Sequence, residues 1–130
     1  MATLTPTLTL VSANTSADET LSLSVTDSLT IGAPTLGMSK IAANAAGGAN
    51  IPIVPSGAAN QYVYIKHTGF QADGSTATTN QLSVKFTDTE GIRLATGEFA
   101  YFPSKSDVVV NIVSSGSHII LVEYAYFTAA

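Results

Sequence analysis

The chain has 130 residues, among them five Lys or Arg and nine Asp or Glu, for a net charge of -4 with both histidines neutral. That length fits one domain with a core of its own, and the absence of cysteine excludes a disulfide framework or a thiolate metal site. Charged residues make up 11% of the sequence, less than half of the roughly 25% usual in soluble domains, and Lys40, Lys66, Lys85, Arg93 and Lys105 stand singly, so no basic stripe is available for phosphates and no nucleic-acid partner is expected.

Apolar and polar residues alternate with period two through most of the chain, which predicts strands. The first runs from Leu4 to Val11 and opens on "ATLTPTLTL", in which Thr3, Thr5, Thr7 and Thr9 alternate with Leu4, Leu8 and Leu10 while Pro6 takes a leucine's place. Proline cannot donate to a sheet ladder, so it is confined to an edge strand, a strand start or a bulge. Residues 1–11 are therefore expected to be an edge strand, or an N-terminal arm laid on a neighbouring subunit.

A second strand is expected from Thr20 to Ile31, where Leu21, Leu23 and Val25 alternate with Ser22, Ser24 and Thr26, one face toward a core and the other toward solvent or a partner. Leu36 to Ala42 follows. The piece "IAANAAGGAN" reads as loop, because Asn44, Gly47, Gly48 and Asn50 interrupt its helix formers. The uncharged stretch from Ile41 to Ile65 is also broken by Pro52, Pro55 and Gly57, so no membrane helix is expected there. No basic segment followed by an apolar run opens the chain, and no secretory leader is expected.

Further strands are predicted at Gln61 to Thr68, Gln81 to Thr87, Ile92 to Ala95, Glu98 to Phe102, Val108 to Val113 and Ile119 to Phe127. The last is apolar on both faces, with Ile120, Val122, Tyr124 and Tyr126 on one and Ile119, Leu121, Ala125 and Phe127 on the other. Such a strand is central in a covered sheet or paired at a subunit interface. About eight or nine short strands separated by Gly, Ser, Asn and Pro turns, with no helical period, predict an all-β fold in one domain spanning 1–130. The architecture expected is an antiparallel β-sandwich, jelly-roll-like by strand number and spacing.

Chemistry-bearing residues do not converge. His67 and His118 each sit among ordinary strand residues, without local ligand or triad partners, and no G-x-S-x-G nucleophile elbow occurs. Asp88 and Glu90 in "FTDTEG" read as a solvated turn, Asp73 in "ADGS" as an Asp-Gly turn, and Asp18 with Glu19 as loop. The sequon at Asn14 is what chance supplies in a chain with 31 Ser and Thr residues. No catalytic residue, metal ligand or cofactor site is expected, and the chain reads as a non-enzyme. Tyr62 with Tyr64, and Tyr124 with Tyr126, form aromatic rows suited to a core margin, a subunit contact or a sugar platform.

The most distinctive phrase is "IRLATGEFAYFP", Ile92 to Pro103, which predicts a hairpin: a strand, a Thr96-Gly97 turn and an aromatic strand ended by Pro103. Its Leu94, Gly97, Glu98 and Pro103 resemble an "L-x-x-G-E-x-x-x-x-P" hairpin of small β-rich virion proteins of tailed bacteriophages. The low charge, the Thr/Ser/Ala-rich strands and the aromatic final strand are similar in style to those proteins as well.

The resemblance implies a virion structural protein, made in a host cytoplasm and bound to the outer surface of the capsid as a decoration or cement protein. Its partners would be the major capsid protein and itself, with a trimer among the homo-oligomers considered. A tail, collar or fibre module that binds glycans is the alternative. The expected contact residues are Thr3, Leu4, Thr5, Pro6, Thr7 and Leu8 in the first strand, Leu94, Gly97, Glu98, Phe99, Tyr101 and Pro103 in the hairpin, and Tyr124, Tyr126 and Phe127 in the last strand.

Overall fold

The computed structural model describes residues 2–12, 21–32 and 36–130. Asn14, Asp18, Glu19 and Thr20, singled out above, lie outside these. The described residues form strands and no helix. A first group consists of β1 (Ala2–Leu4), β2 (Thr7–Val11), β3 (Ser22–Thr26) and β4 (Leu29–Ile31). The body consists of β5 (Leu36–Ala43), β6 (Ile51–Val54), β7 (Gln61–His67), β8 (Leu82–Phe86), β9 (Thr89–Leu94), β10 (Phe99–Ser104), β11 (Val110–Ser114) and β12 (Ile120–Thr128).

The body strands form two antiparallel four-stranded sheets, in the orders β10-β7-β12-β5 and β6-β11-β8-β9. First pairs with last (β5 with β12), second with seventh (β6 with β11), third with sixth (β7 with β10) and fourth with fifth (β8 with β9). That is one long hairpin rolled up on itself, the strand order of a jelly roll. The pairs β7 with β12 and β8 with β11 then close each sheet. The expected antiparallel β-sandwich is the fold, with more strands than the eight or nine predicted.

Alternation in each strand turns one set of side chains into the space between the sheets. Val63 and Ile65 of β7 and Ile120 and Val122 of β12 meet Leu82 and Val84 of β8 and Val110 and Ile112 of β11, all fully buried. Burying each such side chain contributes about 1.5–3 kcal/mol. Phe86 and Phe102 span the two sheets edge to face, with ring centroids 5.5 Å apart.

Three expectations change. Ile51–Val54, which lies outside every predicted strand, forms β6; Pro52 is tolerated because β6 is an edge strand of its sheet. Pro103 likewise lies in β10, the edge of the other sheet. The predicted hairpin over Ile92 to Pro103 is a corner: β9 pairs with β8 and β10 with β7 in the opposite sheet. Gly97, at φ +81°, does make the turn, and the Glu98 N–H donates to the Ala95 carbonyl at 3.0 Å. Backbone bonds of 3.1 Å (Gly97 N–H to the His67 carbonyl) and 2.9 Å (His67 N–H to the Glu98 carbonyl) then fix the corner to the end of β7 and start the β10 ladder there.

The third change concerns the N-terminal strands. The predicted runs Leu4–Val11 and Thr20–Ile31 are each broken, at Thr5-Pro6 and at Asp27-Ser28, because Pro6 has no N–H for the ladder. Its carbonyl still accepts from the Asp27 N–H at 3.0 Å. On one side of the break β1 pairs with β4, which is stitched to the end of β12 by the Ile31–Ala129 bridge and a 2.9 Å bond from the Gly32 N–H to the Thr128 carbonyl. On the other side β2 pairs with β3, and every residue of this two-stranded arm is exposed. The face carrying Leu21, Leu23 and Val25 therefore does not enter the core.

Candidate interaction surface

The two outer faces of the sandwich differ in chemistry. Outward residues of the β6-β11-β8-β9 sheet include Lys85, Asn111 and Arg93, whose guanidinium is bidentate to Glu90 at 2.7 and 2.9 Å. The pair holds Glu90 below the usual carboxylate range and Arg93 above its ordinary value, each through their mutual hydrogen bond first. This is an ordinary solvated face.

The outer face of the β10-β7-β12-β5 sheet is aromatic over most of its length. Register places Tyr101, Tyr64 and Ala125 in one row across three strands, and Pro103, Tyr62 and Phe127 in the next. Met38 of β5 is exposed beside them. Only the row that begins at Phe99 is charged, with Lys66, Glu123 and Lys40 following in register. The Tyr64 hydroxyl donates to Glu123 Oε1 at 3.3 Å and marks the border between the two zones.

Above the aromatic rows lies a groove of about 250 Å³, walled on one side by Leu4 and Pro6 from the base of the arm and floored by the tyrosines, Ala125 and Phe127. Burial, and secondarily Glu123, raise the Tyr64 phenol above its ordinary pKa of 10.0. Burial, then Tyr62 and Asp27, do the same for Tyr101. Both phenols stay neutral over ordinary pH, so the groove offers rings and hydroxyl donors without charge. A second groove of about 280 Å³ lies toward the charged row, lined by Lys40, Lys66, Glu123, Phe70 and neighbours.

The structure brings together Leu4, Pro6, Tyr101 and Phe127 of the expected contact residues, around this one groove. Phe99 and Pro103 are exposed on the same sheet face, Gly97 and Glu98 at the adjacent corner, Thr3 on β1, Thr5 at the break, and Thr7 and Leu8 on the arm. Leu94 does not share the surface, since it is buried in the core. Tyr124 and Tyr126 also turn inward and pack against the core, which leaves Tyr62 and Tyr64 as the outward tyrosine row. Met38 and Ala125 were missed as groove residues, because alternation says which residues share a face and not which face is covered.

The histidines lie apart from this surface. His67 is fully buried, its Nδ1 accepting from the Gly69 N–H at 2.9 Å and its Nε2 donating to the Asn80 carbonyl at 2.8 Å. Both ring nitrogens are thereby occupied. His118 is exposed. Among the described residues no three His, Asp or Glu side chains stand together as a metal site, and no helix is long and apolar enough to cross a membrane.

Comparison with protein-family models finds none that matches the chain, and comparison with curated proteins finds no match either.

Proposed function

We propose that the chain is a non-enzymatic structural protein of a tailed-phage virion, a decoration or cement protein on the outer surface of the head. Its aromatic sheet face and N-terminal arm would pack against the major capsid protein and against copies of itself. The observation that carries the reading is the pairing of two uncharged apolar surfaces on one small body: the exposed arm and the groove at its base. Both leave apolar area in water until a protein surface covers it. A protein that binds only the assembled shell stabilises that shell by its binding free energy, which is what a cement protein does.

A second reading, a tail, collar or fibre module, is favoured by the outward row of Tyr62, Tyr64 and Tyr101, whose rings would stack on sugar rings. Against it, the groove is small beside the roughly 300–1,000 Å³ of ligand sites, and it holds few of the polar groups that orient a sugar.

Copy number separates the two. Quantitative mass spectrometry of particles from cells producing the chain, normalised to the most abundant shell protein, is expected to find it near stoichiometric. A few copies per particle would support the tail reading, with Tyr62→Ala loss of glycan-array binding as its check. Absence from particles would overturn both.

A further inference from the structure

The second groove of the β10-β7-β12-β5 sheet has a chemistry of its own. Register sets Lys66 of β7, Glu123 of β12 and Lys40 of β5 side by side, so the two lysines flank the carboxylate from strands roughly 9–10 Å apart. Thr68 and Leu121 line the groove beyond this row, with Phe70 and Gly74 from the loop after β7.

Charge is concentrated here. The chain has five Lys and Arg against nine Asp and Glu, yet two of those five cations meet in this groove with a single carboxylate. Among the described residues the one ion pair is Arg93 with Glu90, so neither ammonium is paired with Glu123. The Glu123 carboxylate accepts from the Tyr64 hydroxyl at 3.3 Å, and a carboxylate with about four lone-pair sites has room for further donors.

The rim opposite the lysines is already fixed. The Thr68 hydroxyl donates to the Leu121 carbonyl at 2.6 Å, and the Leu121 N–H donates to the Phe70 carbonyl at 2.9 Å. Phe70 also bridges to Ala77. With its backbone held in this way, the Phe70 side chain is still 39% exposed, an apolar surface standing beside three charges. A ligand that uses it has little backbone to order on binding.

We propose that this groove binds one ring of an acidic saccharide, a pyranose that carries a carboxylate. The lysines take the carboxylate, Glu123 accepts from the ring hydroxyls, and the C–H face of the sugar lies on Phe70. A single ring suits a volume of about 280 Å³, at the lower margin of the roughly 300–1,000 Å³ of ligand sites. Glu123 disfavours the nearest rival, an acidic peptide, because it repels a run of carboxylates and finds no hydroxyls there to accept from. The aromatic groove has rings but no cation to hold the carboxylate.

The proposal does not rest on the virion reading. Copy number in particles tests that reading, and sugar binding by the purified full chain tests this one.

Backbone amide shifts of the isotope-labelled full chain, followed through a titration with glucuronic acid, are the experiment. The amides of Thr68, Phe70, Leu121 and Glu123 are expected to move saturably, with a Kd on the order of 1 mM for so small a ligand. Added salt weakens the binding, since Lys40 faces solvent. Glucose, a ring without the carboxylate, and a hexaglutamate peptide, carboxylates without the ring, are each expected to bind roughly tenfold more weakly or not at all. Lys40→Gln with Lys66→Gln, and separately Phe70→Ala, are expected to weaken glucuronic acid binding about tenfold. Lys85→Gln, on the opposite sheet, leaves it unchanged.

No saturable shift up to about 50 mM glucuronic acid, equal binding of glucose or hexaglutamate, or lysine and phenylalanine variants that bind like the native chain would each overturn the proposal. If those variants do not fold, the shift map of the native chain decides, and shifts confined to amides outside the groove overturn it as well.

Discussion

His67 shows how a residue type usually read as chemistry can be structural. Its ring ties the end of β7 to the 69–80 loop, through the Gly69 N–H on one side and the Asn80 carbonyl on the other. His67→Ala would leave a cavity and two unpaired backbone groups, and is expected to cost about 3 kcal/mol, read as a lower denaturant midpoint with unchanged slope. Asp73 does the corresponding work at the surface of that loop. Its carboxylate accepts from the N–H groups of Ser75 and Thr76 and from the Thr76 hydroxyl, and these bonds, Thr76 first, lower its pKa to about 2. An unfolded aspartate titrates near about 3.9. The stabilisation from Asp73 is therefore complete above that value and is lost as pH falls from about 4 through about 2. Amide shifts of Ser75 and Thr76 are expected to titrate with a midpoint near 2; a midpoint near 4 would show that the turn is not held by this side chain.

At the scale of elements, prolines and glycines decide where ladders stop. Pro6 breaks the N-terminal hairpin into a part tied to the body and a part that leaves it, and Pro52 and Pro103 each sit on an edge strand, one in each four-stranded sheet. Gly97 turns the corner between sheets at φ +81°, and a Cβ there would meet no atom within 4 Å. Gly97→Ala therefore adds backbone strain alone, and is expected to lower stability by about 1 kcal/mol, a fall of a few degrees in Tm. No change in Tm would mean that the corner relaxes freely. These elements also mark what could be read from the sequence. Alternation located β5, β7, β8, β11 and β12 closely, because a half-buried strand must repeat every two residues. It could not distinguish a hairpin from a corner at Gly97, since both need the same turn chemistry and differ only in which distant strand accepts the next ladder. It also could not tell a core face from an exposed one: Leu21, Leu23 and Val25 look like core residues, and Tyr62 and Tyr64 look no more exposed than Tyr124 and Tyr126. The groove was legible at Leu4, Pro6, Tyr101 and Phe127, and became one place only when the jelly-roll order set β10, β7 and β12 side by side.

For the whole molecule, the packed core and the exposed apolar arm come from different parts of the chain. All the side chains of the main core cluster come from β5 to β12, and both four-stranded sheets are complete without the first 32 residues. The N-terminal strands add a short annex at the end of β12 and an arm with an uncovered apolar face. Deleting residues 1–32 tests this division most directly, by following the truncated chain's thermal unfolding and its incorporation into particles beside the full chain. The account predicts one cooperative transition with the sandwich's circular-dichroism spectrum retained, and loss of most incorporation. A truncated chain that is unfolded, or one that is incorporated as well as the full chain, would contradict it.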